Sequence, residues 1–118
     1  MTLRQRQPRV HDKAHLEFVS KLPCVITGRG PVQVCHIRFP SMAHDKRQTG
    51  KGEKPSDRWV VPMIPEKHAE QHSMAEQAFW EKYGIDPLAV AQLLYACSGD
   101  IQEGLKVIRL ARRTGARA

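Results

Sequence analysis

Apolar positions change their spacing several times along the chain, and each change marks an element. Between Val10 and Leu22, the residues Leu16, Val19 and Leu22 recur at helical spacing and Pro23 stops the run, which predicts an N-terminal helix. Cys24 to Ile26, then Gly28 to Pro31, then Val32 to Val34 read as two short strands around a glycine-rich turn. The second strand runs on through Cys35 and His36 to Ile37. Trp59 to Ile64 is a further short apolar strand. Pro65 suits a first helical turn, so a helix is expected from Glu66 to about Tyr83, stopped by Gly84, with Ala69, Ala78, Phe79 and Tyr83 on its buried face. Asp86 caps a following helix with Pro87 at its first position and Leu88, Val90, Ala91, Leu93, Leu94 and Tyr95 as its apolar residues. Ser98 to Asp100 breaks it, and Ile101 to Arg113 forms a last helix with Leu105, Ile108 and Leu110 on apolar positions. The expected class is α+β, ending in a helical hairpin.

Residues 38–58 interrupt the pattern with a long polar segment carrying Pro40, Gly50, Gly52 and Pro55. Arg38, Lys46, Arg47, Lys51, Lys54 and Arg58 face three acids there. A loop this long in a small domain is usually functional or disordered, and its basic content suits tracking a phosphate backbone. His44 within it could serve as a ligand, but a lone loop His is expected to face solvent.

At 118 residues the chain is long enough for one modest core and is expected to form a single domain. Its expected parts are a basic arm over 1–13, a core over 14–83 and a helical hairpin with a basic tail over 84–118. No stretch approaches the roughly 20 apolar residues of a membrane span and no signal peptide is visible at the start, so a cytoplasmic protein without a membrane partner is expected. Three widely spaced cysteines, Cys24, Cys35 and Cys97, argue against a disulfide framework and a four-cysteine zinc site. Any transition metal would rely mainly on His and carboxylate ligands.

The formal charge of +7 is unevenly placed. Arg4, Arg6, Arg9 and Lys13 lie at one end, and Lys106, Arg109, Arg112, Arg113 and Arg117 at the other. Basic termini on a near-neutral body are a footprint of nucleic-acid binding, because each neutralised phosphate releases a counterion.

His68 and His72 carry the most chemistry. Four residues apart on a helix, they project from one face about 5–6 Å apart at Cβ, a spacing that suits one metal ion. His36 ends the preceding strand. Each piece alone is weak, but a strand-borne His followed, after a loop, by a helical His pair suggests a metal-dependent nuclease. His11 and His15 have the same spacing but no strand-borne partner before them, so they are expected at the surface.

The order of strand, basic loop, strand and helix resembles the ββα-metal finger of HNH (His-Me finger) endonucleases. More closely, Leu22 to Gly28, Cys35 to Arg38, Gly50 to Pro62 and His68 to Ser73 resemble small prophage-borne HNH-like proteins related to phage recombination-enhancement nucleases, over roughly residues 15–96. The resemblance implies a ββα-metal finger with an N-terminal helix and the C-terminal hairpin added. It implies His36 as general base and His68 and His72 as ligands of one divalent ion (Zn, Mg or Mn). Asp57 falls near the middle element, where the family usually has Asn; it would orient His36 or ligate the metal. Cys35 stands where relatives often place an Asp or His ligand, and is a further candidate ligand. The paired cysteines that hold a structural zinc in many relatives correspond here to Cys24 to Thr27 and Ile64 to Lys67, so apolar packing is expected in place of that zinc.

In such a site a neutral His36 takes a proton from water and the ion stabilises charge on the phosphate and the departing 3′-oxygen. Arg38 is placed to clamp a phosphate oxygen, with Lys54 and Arg58 as further contacts to DNA. Two other readings stand beside the endonuclease. One is a nucleic-acid-binding module with a structural or absent metal. The other is a phage accessory protein that acts through a protein partner.

Overall fold

The structure is a computed structural model and describes residues 11–44, 46 and 56–115, with 114–115 given by backbone alone. Lys54, Arg4, Arg6, Arg9 and Arg117, all expected to meet phosphates, lie outside the described residues. Among the described residues the chain is α+β, with five helices and one two-stranded antiparallel sheet. No helix among them is long and apolar enough to cross a membrane.

The first helix, α1 (Lys13–Ser20), begins where Asp12 caps it, its carboxylate accepting from the His15 N–H at 3.0 Å. Strands β1 (Gln33–His36) and β2 (Val60–Met63) pair with Gln33 opposite Met63 and His36 opposite Val60. All four residues of β2 are buried, as suits an unbroken apolar run. Cys24 to Ile26, expected as a strand, is instead a turn, whose Val25 N–H reaches the Pro62 carbonyl at 2.9 Å. The Cys24 sulfur accepts from the N–H groups of Ile26 and Thr27, both at 3.4 Å. Those bonds curl the backbone around sulfur and draw Cys24 and Val25 into the core with Ile64. Apolar packing thus holds this turn against the end of β2.

The expected helix from Glu66 to Tyr83 is two helices, α2 (Pro65–His72) and α3 (Glu76–Tyr83). Ser73 separates them; its hydroxyl donates to the Glu70 carbonyl at 2.6 Å, which competes with helix continuation. The break reorients α3, so that Phe79 and Trp80 enter the core while Ala69 and Ala78 stay exposed. Glu70 ties the two helices through Lys82 at 2.6 Å and the Tyr83 hydroxyl at 2.8 Å. Lys82, Tyr83 and Lys67 hold its carboxyl down at about 2. Gly84 ends α3 in the left-handed conformation at φ 67°.

Helices α4 (Pro87–Ala96) and α5 (Ile101–Gly115) pack together as the sequence predicts. Leu88, Leu94 and Ile108 are buried, but Leu93 and Leu110 are 51% and 56% exposed, on the outer side of the pair.

His15 is the clearest correction. It is fully buried, with Nδ1 at 2.7 Å from the Ser98 hydroxyl and its ring edge-on to Tyr95. Burial lowers its pKa against the pull of Asp12 and Asp57, and its Nε2 has no hydrogen-bond partner. Burial therefore favours the neutral ring in the fold, while in the unfolded chain it charges below about pH 6.5. Stability linked to His15 is present above that pH and is lost as pH falls through the lowered native value, because the unfolded state binds the extra proton. His15→Gln should flatten the fall in melting temperature between pH 7 and pH 5 relative to wild type. Equal slopes in the two proteins would assign the acid sensitivity to other groups.

Candidate functional site

Two histidine constellations flank the β1–β2 ribbon. In the first, His36 Nε2 lies 2.9 Å from Asp57 Oδ1, and Asp57 Oδ2 accepts the Asp12 N–H at 2.8 Å. Asp57 is 5% exposed, so both its oxygens are satisfied where water is scarce. An ionised Asp57 directs the Nε2–H of His36 toward itself and leaves Nδ1 as the basic nitrogen. His36 retains partial exposure, with 27% of its side chain accessible.

In the second, His68 Nδ1 lies 2.6 Å from the Gln33 side-chain amide oxygen Oε1, and His68 Nε2 lies 3.0 Å from His72 Nε2. Gln33 accepts the Nδ1–H and so fixes the His68 tautomer with its lone pair on Nε2. His72 is then the donor between the rings. Burial, followed by the neighbouring His72, lowers the pKa of His68 and favours the neutral ring a metal needs. Two nitrogens at this separation can share one ion at about 2.0–2.1 Å from each, subtending roughly 90°. The donor set fits a zinc- or manganese-like ion better than magnesium, which prefers oxygen. An ion there would replace the proton now held between the rings.

The two constellations remain separate in this structure. Gln33 and His36 are an odd number of residues apart in one strand, so their side chains project to opposite faces. Among the described residues, no group of three or more His, Cys, Asp or Glu is placed to hold a metal ion. Cys35 lies in the core, 2% exposed, with its thiol directed at the Gln33 carbonyl at 3.6 Å. Burial, with Cys24 nearby, pushes that thiol up to about 12, far from the thiolate that binds metal.

The exit of β1 is fixed from outside. Glu76, the first residue of α3, accepts the N–H groups of Arg38 and Phe39 at 3.1 and 3.2 Å. The buried Lys46 donates to the Arg38 carbonyl at 3.1 Å, and Arg38 itself is exposed. Arg58 stacks over Trp59 at 5.0 Å and lies 5.9 Å from the Tyr95 ring. That contact fixes the guanidinium plane while leaving its edge for an anion. His44, expected to face solvent, instead binds Asp86 at 3.2 Å and Gln92 at 3.0 Å.

A family model described as "Protein of unknown function (DUF968)" matches residues 2–99. The chain belongs to this family. The matched DUF968 region takes in both histidine constellations and ends between α4 and α5. No match to the chain was found among curated proteins or among solved structures.

Gln33 and Glu76 escape motif reasoning. Only the strand register exposes Gln33: paired with Met63, it sits where the helix after β2 begins, one turn from His68. If His68 and His72 hold zinc, Gln33→Leu should weaken that binding about 10–100-fold by releasing the tautomer, measured by competition with a chelating dye. An unchanged affinity would show that Gln33 plays no part in holding the ring.

Proposed function

We propose that the chain is a metal-dependent DNA endonuclease of the HNH type, with one divalent ion on His68 and His72. The observation that carries this reading is the 3.0 Å approach of two imidazole Nε2 atoms on an exposed helix, with Gln33 fixing one ring. Its support from sequence is the order of motifs shared with ββα-metal nucleases. When bound, the ion stabilises charge on the scissile phosphate and the departing oxygen.

His36 supplies the proton acceptor, which requires that the bound phosphate bring His36 and the ion of the separate His68–His72 pair to one reacting centre. A water O–H gives its proton to Nδ1, the resulting hydroxide attacks phosphorus, and the bond to the 3′-oxygen breaks. Asp57, hydrogen-bonded on the far side of the ring, stabilises the imidazolium that forms and is itself held by the Asp12 N–H. Arg38 and Arg58 flank this segment and contact non-bridging phosphate oxygens, which positions the backbone without reading bases.

The separation of His36 from the His68–His72 pair favours a second reading, a nucleic-acid-binding module whose metal is structural or absent. Metal analysis beside plasmid nicking with Mg, Mn and Zn divides the two. A nuclease nicks only with metal. His68→Ala and His72→Ala should lose both metal and nicking, while His36→Ala should lose about 100-fold or more in rate and keep its metal. Salt-dependent DNA binding without nicking in any metal would establish the module instead. Loss of metal from His36→Ala would make His36 a ligand, and wild-type rates in that variant would remove it from the chemistry.

A further inference from the structure

The side chain of Arg112 on α5 is laid against the Cys24–Arg29 turn. Gly28 has φ +75°, and a Cβ built on it would stand 2.5 Å from Arg112 Cζ, 2.6 Å from Nη1 and 2.9 Å from Nε. The guanidinium therefore occupies the space that any other residue at position 28 would fill. Its Nε is buried with no hydrogen-bond partner, and among the described residues no carboxylate or carbonyl meets the rest of the group. Arg29, next to Gly28, and Arg109, three residues earlier on α5, are exposed and also lack an ion-pair partner among the described residues.

This is an unusual place for a cation. A guanidinium keeps its charge at any physiological pH, and an unsatisfied buried N–H costs stability. Packing alone would be served better by an apolar side chain. What the seat provides is orientation: Nε is buried against the turn before any ligand arrives, while the residue as a whole is only half-buried.

We propose that Arg112 is a pre-seated phosphate clamp for the nucleic-acid backbone, with Arg29 and Arg109 supplying further charge around it. The site rests on the DNA reading above but not on catalysis, and it joins α5 to the turn before β1 as one binding surface. Its ligand chemistry is the phosphodiester oxygen, met by two parallel N–H groups.

Binding of a short fluorescent duplex by the full chain, in EDTA to prevent cleavage, tests it across a salt series. Arg112→Ala should weaken binding about tenfold at fixed salt and reduce the log–log salt slope by about 0.9. Arg112→Lys should keep the slope, since the charge remains, yet fail to recover full affinity because a point charge is not a fork. Arg112→Ala should melt no lower than wild type, because it removes an unsatisfied buried donor. Unchanged affinity and slope in Arg112→Ala would overturn the clamp, as would a lower melting temperature with unaltered binding per folded molecule, the mark of a packing role. A wild-type chain that binds no duplex would overturn the clamp and the DNA reading together. Arg112-dependent binding without metal-dependent nicking would overturn only the nuclease.

Discussion

A ribbon of two strands with four paired residues each cannot hold itself together in water, so everything around it exists to cover it. Helix α1, the Cys24 turn and the aromatic residues of α3 supply that cover, and α4 and α5 close the core over Leu88, Leu94 and Ile108. Such cover leaves β2 without a solvent face. It also explains why the polar contacts concentrate at the ends of β1. His36 and Gln33 lie where the ribbon stops, and each finds a partner that the covering elements bring in. Both constellations inherit their geometry from the same short register.

Asp57 shows how one buried carboxylate can organise sequence-distant parts. It takes a backbone N–H from the start of α1 and a ring nitrogen from the end of β1, so the entry to β2, the first helix and His36 are fixed together. A carboxylate so placed costs free energy if left unsatisfied, and the two contacts offset that cost. Replacing it would disturb α1 as well as His36, and for that reason the two-sided test through His36 is the cleaner measure of chemistry.

Helix and strand positions were legible wherever apolar spacing was regular. The α4–α5 pair, β2 and the cap Asp86 follow from local chemistry, whereas the cap Asp12 lay inside the helix expected from Val10. Three further features did not follow. The break at Ser73 depends on a side-chain hydroxyl competing with the helix ladder, which periodicity does not register. The turn at Cys24 depends on N–H groups pointing at sulfur, whereas its composition reads as strand. His15 has the same spacing as His68 and His72, yet the tertiary fold buries the first and leaves the pair near solvent. Spacing places two rings on one face of a helix, and only packing decides what that face meets. The contact of His36 with Asp57, by contrast, agrees with one of the two roles that the resemblance implies for Asp57.

Helix α2 contains no buried residue. Eight residues long, it is held by its junction with β2, by Glu70 reaching across to α3 and by Gln33 on His68. Such a segment opens at a fraction of the free energy needed to unfold the whole chain, so its amides exchange with solvent long before those of the ribbon. The pair His68 and His72 spans one turn of this weakly anchored helix, so any cation that bridges them also acts as a staple on the turn. Ion concentration would then be recorded as helix order, so that a metal held there would act on a weakly anchored element.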